Sequence, residues 1–205
     1  MDIRTPISNY LDSLDATINN LDRGEIAQLI TLIFKTYKNN KQIFVMGNGG
    51  SSSTASHFVC DLNKGVSYGK DKKIRAIGLT DNVPSCTAYS NDVSYDDIFS
   101  EQLKNFLNPG DLVIAISGSG NSKNILKAVE YANSKKITTV GLTGYDGGKL
   151  KKIAKFSVNT NINDMEISED LHLSLCHIVK RTMLANLNND GSIIQKSKLS
   201  RKQRS

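Results

Sequence analysis

The sequence predicts an α/β fold in which one parallel β-sheet lies between two layers of helices. Short apolar segments typical of buried strands alternate along the chain with longer segments of helical periodicity. The strand segments are nearly continuous apolar runs, which is typical of a parallel sheet covered by helices on both faces. We therefore expect a three-layer sandwich, preceded by an N-terminal helical extension.

The individual elements follow from these patterns in chain order. Two amphipathic helical segments come first, at about residues 7–19 and 25–37, and the first has Leu11, Leu14, Ile18 and Leu21 at helical spacing. Strand segments follow at residues 43–46, 74–79, 112–116, 138–142 and 156–158. Further helical segments are expected at about residues 51–62, 95–106, 122–134 and 165–187.

Length and charge indicate one folded domain and a basic tail. A chain of 205 residues with 39% hydrophobic content is long enough for one full core, and no linker divides it. Residues 195–205 contain five basic residues and no acidic one, so they carry +5 of the formal charge of +6. We expect a single domain over residues 1–190 and a disordered tail over residues 191–205. No nucleic-acid partner is expected except through this tail, and the tail lacks aromatic residues for base stacking.

Several classes of protein are disfavoured. The sequence has no apolar run near the roughly 20 residues that cross a bilayer, and its first residues lack the apolar core of a signal peptide. Three cysteines without CxxC spacing argue against a disulfide framework. We therefore expect a cytoplasmic protein whose cysteines are small buried hydrophobes.

Two strands run directly into glycine- and serine-rich turns that open helices. Residues 42–46 lead into the turn at residues 47–53, and residues 112–116 lead into the turn at residues 117–122. Glycines allow close approach to a ligand, helix N-termini favour an anion, and serine hydroxyls donate to it. Neither turn matches a dinucleotide fingerprint or a P-loop. The turns therefore predict a site for one phosphorylated molecule, although tight strand-to-helix connections alone are the alternative.

The three histidines lie in two helical segments that also carry acidic residues. His57 and Asp61 are four residues apart and share a helical face, whereas Glu169 and His177 are eight apart, about 80° around an ideal helix. Imidazole with carboxylate suits zinc or a similar divalent cation, and also acid–base chemistry near neutral pH. Surface helix pairs and core histidines are the alternative.

The ordered motifs resemble the sugar isomerase (SIS) domain, specifically its phosphoheptose isomerase branch. These motifs are GNGGSSSTASHFVCDL, SND at residues 90–92, ISGSGNSKNILKAVEYA, LTGYDGGKL and EDLHLSLCHIV. The resemblance covers nearly everything except the basic tail. It implies a flavodoxin-like, five-stranded parallel sheet, a homotetramer with sites at subunit interfaces, and bound zinc. It also implies conversion of sedoheptulose 7-phosphate to D-glycero-D-manno-heptose 7-phosphate, an early step toward bacterial surface heptose.

The resemblance also implies roles for individual residues. Substrate and its phosphate are expected at Asn48, Gly49, Gly50, Ser51, Ser117, Gly118, Ser119 and Ser122, and sugar hydroxyls at Asp92. The metal is expected at His57, Asp61, Glu169 and His177, with Asp61, Glu169 and His177 as catalytic groups. The sequence departs from the family at Asp61, Glu169 and Gly118, where Glu, Gln and Thr are usual. The arginine that usually follows the first helix of the site is absent from Leu62-Asn63-Lys64-Gly65.

The expected chemistry is aldose–ketose isomerisation through an enediol. Asp61 or Glu169 would be the base, His177 the partnering acid or base, and zinc the group that stabilises the oxyanion. Two alternatives stay open at this point. One is a non-catalytic regulator that binds sugar phosphate, and the other is an isomerase for a different phosphosugar.

Overall fold

The computed structural model describes residues 1–202, with side chains up to residue 188. The strands are β1 (Gln42–Met46), β2 (Arg75–Gly78), β3 (Leu112–Ser117), β4 (Thr138–Thr143) and β5 (Phe156–Asn159). The helices are α1 (Arg4–Asn19), α2 (Arg23–Lys38), α3 (Gly49–Cys60), α4 (Val83–Asp92), α5 (Ile98–Phe106), α6 (Lys123–Ser134), α7 (Gly148–Ile153) and α8 (Met165–Lys202). A π-helical segment (Asp61–Val66) follows α3, and a 3-10 turn (Tyr95–Asp97) precedes α5.

The five strands form one parallel sheet in the order β2-β1-β3-β4-β5. This confirms the predicted α/β class, and all five strand segments are present. The order places β1 beside β3, with Ile43 opposite Leu112 and Met46 opposite Ala115. The chain leaves β1 toward β2 on one side and then returns to β3 on the other. The carboxyl ends of β1 and β3 therefore flank the topological switch point, where α/β sheets bind ligands.

Two hydrophobic layers cover the two faces of the sheet. Side chains alternate along β1, so Ile43 and Val45 join one core cluster while Phe44 and Met46 join the other. The first cluster contains residues of α2, α3 and α8, and residues of α5, α6 and α7 pack in the second. The sheet is therefore buried on both faces, as its apolar strands predict.

Local sequence signals explain where several helices begin. Asp22 caps α2 by accepting hydrogen bonds from the backbone amides of Gly24 and Glu25 at 2.7 and 3.1 Å. Asn82 caps α4 by accepting from the amide of Ser85, and Pro84 lies in the first turn. The sequence analysis did not predict α4, although this cap and this proline are ordinary signals of a helix start. It also missed the six-residue α7 and the π-helical segment.

The last described helix is longer than predicted. The sequence predicts its end near residue 187, but α8 continues to Lys202. This segment contains no proline, and its one glycine, Gly191, costs only about 1 kcal/mol in a helix interior. Residues 203–205 of the predicted tail lie outside the described residues, and the proposed division of the chain at residue 190 stays a prediction. Among the described helices, none is both long and apolar enough to cross a membrane.

Candidate active site

The two glycine/serine turns meet beside a cavity of about 270 Å³ at the carboxyl ends of β1 and β3. The structure brings together every predicted substrate-binding residue except Asp92. The lining residues are Asn48, Gly49, Gly50, Ser51, Ile116, Ser117, Gly118, Ser119, Ser122, Met165 and Glu169. Of these, the sequence analysis missed Ile116 and Met165, which carry no polar group that would mark them.

Both turns direct the start of a helix toward the cavity. The cap residues of α3 and α6 are Asn48 and Ser122, and neither side chain accepts a hydrogen bond from its own helix. In α6 the amide of Ile125 donates to Oδ1 of Asn124 at 2.9 Å. The backbone N–H groups before it, and those of the first turn of α3, lie at the positive ends of the two helix dipoles, which favour an anion. The hydroxyl oxygens of Ser117 and Ser122 are 3.4 Å apart. The cavity thus has the donors that a phosphate group requires.

A reciprocal amide pair connects the two turns. The Nδ2 atom of Asn48 donates to Oδ1 of Asn124 at 2.9 Å, and Nδ2 of Asn124 donates to Oδ1 of Asn48 at 2.9 Å. The hydroxyl of Tyr95 donates to the same oxygen of Asn48 at 3.1 Å. Asn124 is 1% exposed. Because buried amides favour fully satisfied hydrogen bonds, this pair fixes the first turn against α6.

Two side chains of α8 close the cavity. A side chain at Gly50 would collide with the carboxylate of Glu169, and a Cβ atom at Gly118 would lie 2.5 Å from the sulfur of Met165. The two glycines therefore provide the space in which α8 approaches the turns. Met165 occupies the space beside Gly118.

His57, Asp61 and His177 form a group next to the cavity elements. The Nε2 atoms of His57 and His177 are 2.9 Å apart, and Oδ2 of Asp61 lies 3.4 Å from the first and 3.8 Å from the second. One ligand atom from each residue lies within 4.8 Å of the others. Oδ2 of Asp61 is buried and has no hydrogen-bond partner among the described residues. Two imidazoles and an unpartnered carboxylate oxygen fit a divalent cation.

The predicted four-residue metal cluster is divided in the structure. Glu169 is not part of the group around His57, and its carboxylate lines the cavity at Gly50. Its predicted partner on α8, His177, lies two helical turns farther along. The same helix therefore contributes Glu169 to the cavity and His177 to the group with His57 and Asp61. A residue that the sequence analysis missed, Lys180, donates from Nζ to Oδ1 of Asp61 at 2.6 Å. Its position three residues after His177, on the same helical face, is the signal that was available.

The structure does not bring Asp92 to the cavity. Asp92 is the last residue of α4, is exposed, and accepts a hydrogen bond from Nδ2 of Asn91 at 2.7 Å. The short helix α4, which the sequence analysis missed, determines this position. Tyr95, three residues later, is the residue of this region that contacts the site.

The third histidine and the cysteines belong mainly to the packing of the molecule. His172 is fully buried, and burial lowers its pKa to about 4. Cys176 is also buried, as expected, and burial raises the pKa of its thiol. Cys60 is exposed and Cys86 is half-buried, which corrects the prediction that all three cysteines are buried.

Comparison with known proteins identifies close relatives in sequence. The SIS domain profile matches residues 9–144. A protein of Thermoplasma volcanium named "Probable phosphoheptose isomerase" is 34% identical over 84% of this chain and 88% of its own length. The phosphoheptose isomerase of Helicobacter pylori is 33% identical over 83% of this chain and 88% of its own length.

Solved structures show the same architecture. The phosphoheptose isomerase of Neisseria gonorrhoeae superposes with a TM-score of 0.82 at 25% identity, covering 89% of this chain and 98% of that protein. A phosphoheptose isomerase from Francisella tularensis gives 0.81 at 27% identity, again over 89% and 98% of the two chains. The NanR protein of Vibrio vulnificus, solved with ManNAc-6P, shares the fold at 19% identity and a TM-score of 0.64, over all of this chain and 70% of NanR.

Proposed function

The chain belongs to the SIS domain family, in its phosphoheptose isomerase branch, and we propose that it isomerises sedoheptulose 7-phosphate to D-glycero-D-manno-heptose 7-phosphate. The relatives support an isomerase that acts on a phosphorylated sugar. The observation that carries the finer proposal is the single cavity shared by the two serine turns and Glu169. Phosphate donors and a carboxylate that can move a proton thus line the same space.

The serines would hold the phosphate. Ser51 lies in the first turn of α3, and Ser117, Ser119 and Ser122 belong to the turn before α6. Their hydroxyls and the first N–H groups of the two helices would bind the phosphate oxygens. Binding energy from this remote group would position the first two carbons of the sugar against Glu169. Asn48, held by Asn124 and Tyr95, would keep the first turn in place for this contact.

Glu169 is the better candidate for the base. It lines the cavity, whereas Asp61 lies among His57, His177 and Lys180. The Glu169 carboxylate would remove the proton from C1 of the ketose while the oxygen on C2 gains a proton, which gives the enediol. Loss of the proton from the oxygen on C1 and return of the carbon-bound proton to C2 would then complete the aldose. His177, expected from the sequence as the partnering acid or base, does not line the cavity and is assigned here to the metal.

His57, Asp61 and His177 would hold a divalent cation, for which we propose zinc. When bound, the ion would stabilise negative charge on the enediolate oxygens. A set of three protein ligands is the number typical of catalytic zinc sites, where a further position stays open. Glu169, the fourth residue predicted from the sequence, is better placed for proton transfer than for this group.

We further propose a homotetramer with sites at subunit interfaces and a cytoplasmic location. Four apolar side chains on or just before α1 are largely exposed in the isolated chain: Ile3 at 63%, Ile7 at 58%, Leu11 at 57% and Ile18 at 41%. A second copy of the chain would cover this surface. The three unpaired cysteines suit a reducing compartment.

The test is proton NMR in deuterated buffer with three ketose phosphates. Sedoheptulose 7-phosphate, ribulose 5-phosphate and fructose 6-phosphate are each incubated with metal-analysed protein, with and without added zinc. We expect heptose product, with deuterium entering beside the carbonyl, for the seven-carbon sugar alone.

The other outcomes separate the alternatives. Exchange with a pentose or hexose phosphate instead would assign an isomerase of another phosphosugar. Binding of a sugar phosphate without any exchange, in folded and metal-loaded protein, would replace the enzyme with a sugar-phosphate-binding regulator.

A further inference from the structure

Lys180 forms an ion pair with one of the two carboxylate oxygens of Asp61. Its Nζ atom lies 2.6 Å from Oδ1, in a site where the Asp61 side chain is 8% exposed and the Lys180 side chain 33%. The other oxygen, Oδ2, faces His57 and His177 and accepts no hydrogen bond among the described residues. The carboxylate is thus shared between an ammonium group and the two imidazoles.

The backbone beside Asp61 is built to admit this lysine. Gly65 lies one turn after Asp61 in the π-helical segment Asp61–Val66. A Cβ atom on Gly65 would lie 2.7 Å from Cε of Lys180 and 3.5 Å from Oδ1 of Asp61. Any larger residue at position 65 would therefore compete with the lysine stem for this space. Gly65, Lys180 and Asp61 form one steric and electrostatic unit.

Lys180 changes the net charge around the group formed by His57, Asp61 and His177. As metal ligands, the two imidazoles contribute no charge and the carboxylate contributes −1, and the ammonium group of Lys180 brings the total to zero. A divalent cation at the group would be repelled by this nearby positive charge, and the repulsion is substantial at a partly buried site. Oδ1 is also engaged, so Asp61 offers the cation only one oxygen.

We propose that Lys180 is a positioning residue that competes with the metal for Asp61, restricts Asp61 to a single-oxygen ligand, and keeps the cation weakly held. This inference rests on the metal site of the proposed function. Its consequence is a site with open coordination, as a catalytic metal requires, in place of a closed structural one. The ordinary orienting role of a hydrogen-bond partner around a metal ligand predicts the opposite sign, a loss of affinity when the partner is removed.

The test measures metal affinity directly, in the full chain stripped of metal with a chelator. Competition with a chelating dye gives the dissociation constants of Zn²⁺ and Co²⁺ for the wild type, Lys180→Met and Lys180→Arg. We expect Lys180→Met to bind both ions at least tenfold more tightly. Lys180→Arg should stay within about threefold of the wild type, because it keeps the positive charge beside Asp61.

The visible spectrum of bound Co²⁺ reports the coordination number independently of affinity. Lys180→Met should show weaker d–d absorption than the wild type, because Asp61 then offers both oxygens and the coordination number rises. Lys180→Arg should keep the wild-type spectrum. If Lys180 had a purely structural role, Lys180→Met would leave the Co²⁺ spectrum unchanged.

Gly65→Val tests the same unit without changing either charged group. The valine would displace the lysine stem, so this variant should reproduce the tighter binding of Lys180→Met. The double variant should bind no more tightly than either single variant. Lys127→Met is the matched control, since it removes an ion-paired lysine, 2.9 Å from Asp97, outside the site. It should leave both affinities unchanged.

Each outcome decides between proposals. If the wild type binds the ion and Lys180→Met binds it equally or more weakly, the role of Lys180 is overturned. The proposed function then still stands. Folded wild-type protein that binds neither ion overturns the metal site of the proposed function, and the role of Lys180 with it.

Discussion

At the scale of single residues, the two carboxylates of the site lie in different surroundings. Asp61 is buried between two imidazoles and an ammonium group, whereas Glu169 is half-buried over the cavity beside Gly50. Helical spacing places each acid near a histidine, and the resemblance to the SIS domain implies that the two pairs form one cluster. The contacts of α8 divide that cluster, because they depend on how the helix packs and not on spacing along it.

Exchange of each carboxylate for its amide should separate proton transfer from metal binding. Glu169→Gln keeps the shape of the side chain but removes the base, so we expect kcat to fall by about 10² to 10⁴ with little change in KM or metal affinity. Asp61→Asn replaces a charged oxygen with a neutral one, so we expect metal affinity to fall at least about tenfold. Steady-state kinetics and metal titration of both variants measure the two effects. The assignment of the base fails if Asp61→Asn keeps its metal but loses turnover while Glu169→Gln remains active.

His172 gives the folded protein a specific sensitivity to acid. Its pKa is lowered from 6.5 to about 4 by burial, with the backbone of Thr143 opposing the shift. Between these values the unfolded chain binds a proton that the folded chain does not, so stability is lost as the pH falls from 6.5 to 4. The loss from this one residue should approach about 3 kcal/mol at pH 4.

The contribution of His172 is measured by urea unfolding of the wild type and His172→Leu at pH 7.5 and pH 4.5. Carboxylates titrate equally in both proteins, so the difference between them isolates the histidine. We expect the variant to lose clearly less stability on acidification than the wild type. Equal losses would mean that His172 is protonated in the folded protein.

At the scale of secondary-structure elements, the strands were the most predictable part of the chain. Apolar runs such as Leu112–Ser117 have no surface face, and their burial alone defines them. The elements that the sequence analysis missed are short or irregular: α4, α7 and the π-helical segment. These segments have too few turns for an amphipathic pattern to be recognised in the sequence. In addition, α7 starts after Gly147, which has a left-handed conformation.

The site was predictable to a similar extent. Sequence motifs identified both turns and the three residues His57, Asp61 and His177. They did not identify Asn124, Tyr95 or Lys180, which reach the site through contacts between elements distant in sequence. An asparagine inside α6, or a lysine on α8, has the ordinary appearance of a helix residue. Only the packing of these helices gives the two residues their roles.

Two glycines inside the glycine- and serine-rich turns offer a matched test of loop packing. Gly49 and Gly120 both have left-handed backbone angles, with φ of +53° and +63°. A Cβ atom on Gly49 meets nothing within 4 Å, whereas one on Gly120 would collide with the backbone of Gly147 in the loop before α7. Gly49→Ala should cost about 1 to 2 kcal/mol from backbone strain alone, and Gly120→Ala at least about 3 kcal/mol. Urea unfolding gives both values, and similar values would contradict the packing of these two loops.

At the scale of the whole molecule, α1 has an exposed apolar side that the fold of one chain does not cover. Tyr10 and Leu14 pack against the core, and the hydroxyl of Tyr10 donates to Asp170 on α8 at 2.6 Å. The other side contains the exposed residues Ile7 and Leu11. The helix thus joins its own domain on one side and presents an apolar surface on the other, as expected for a subunit of an assembly.

Leu11→Glu should dissociate the proposed homotetramer. The buried charge would cost more than the apolar contact contributes, so we expect the mass in light scattering to fall from that of a tetramer of 22.5 kDa chains to that of smaller species. Asn9→Glu adds the same charge at another exposed position of α1 and serves as the control. A wild-type protein that is monomeric, or a Leu11→Glu variant that remains tetrameric, would refute this role for α1.

The position of α8 late in the chain has a consequence for folding during synthesis. Both bonds that join α8 to Asp61 and His57 connect residues about 120 positions apart, with separations of 119 and 120. Chains emerge from the ribosome N-terminal end first, and contacts between distant positions form slowly. A nascent chain therefore presents both serine turns before Glu169, His177 and Lys180 have been made. The donors proposed for the phosphate are therefore synthesised before the residues of α8 that are proposed for proton transfer and metal binding.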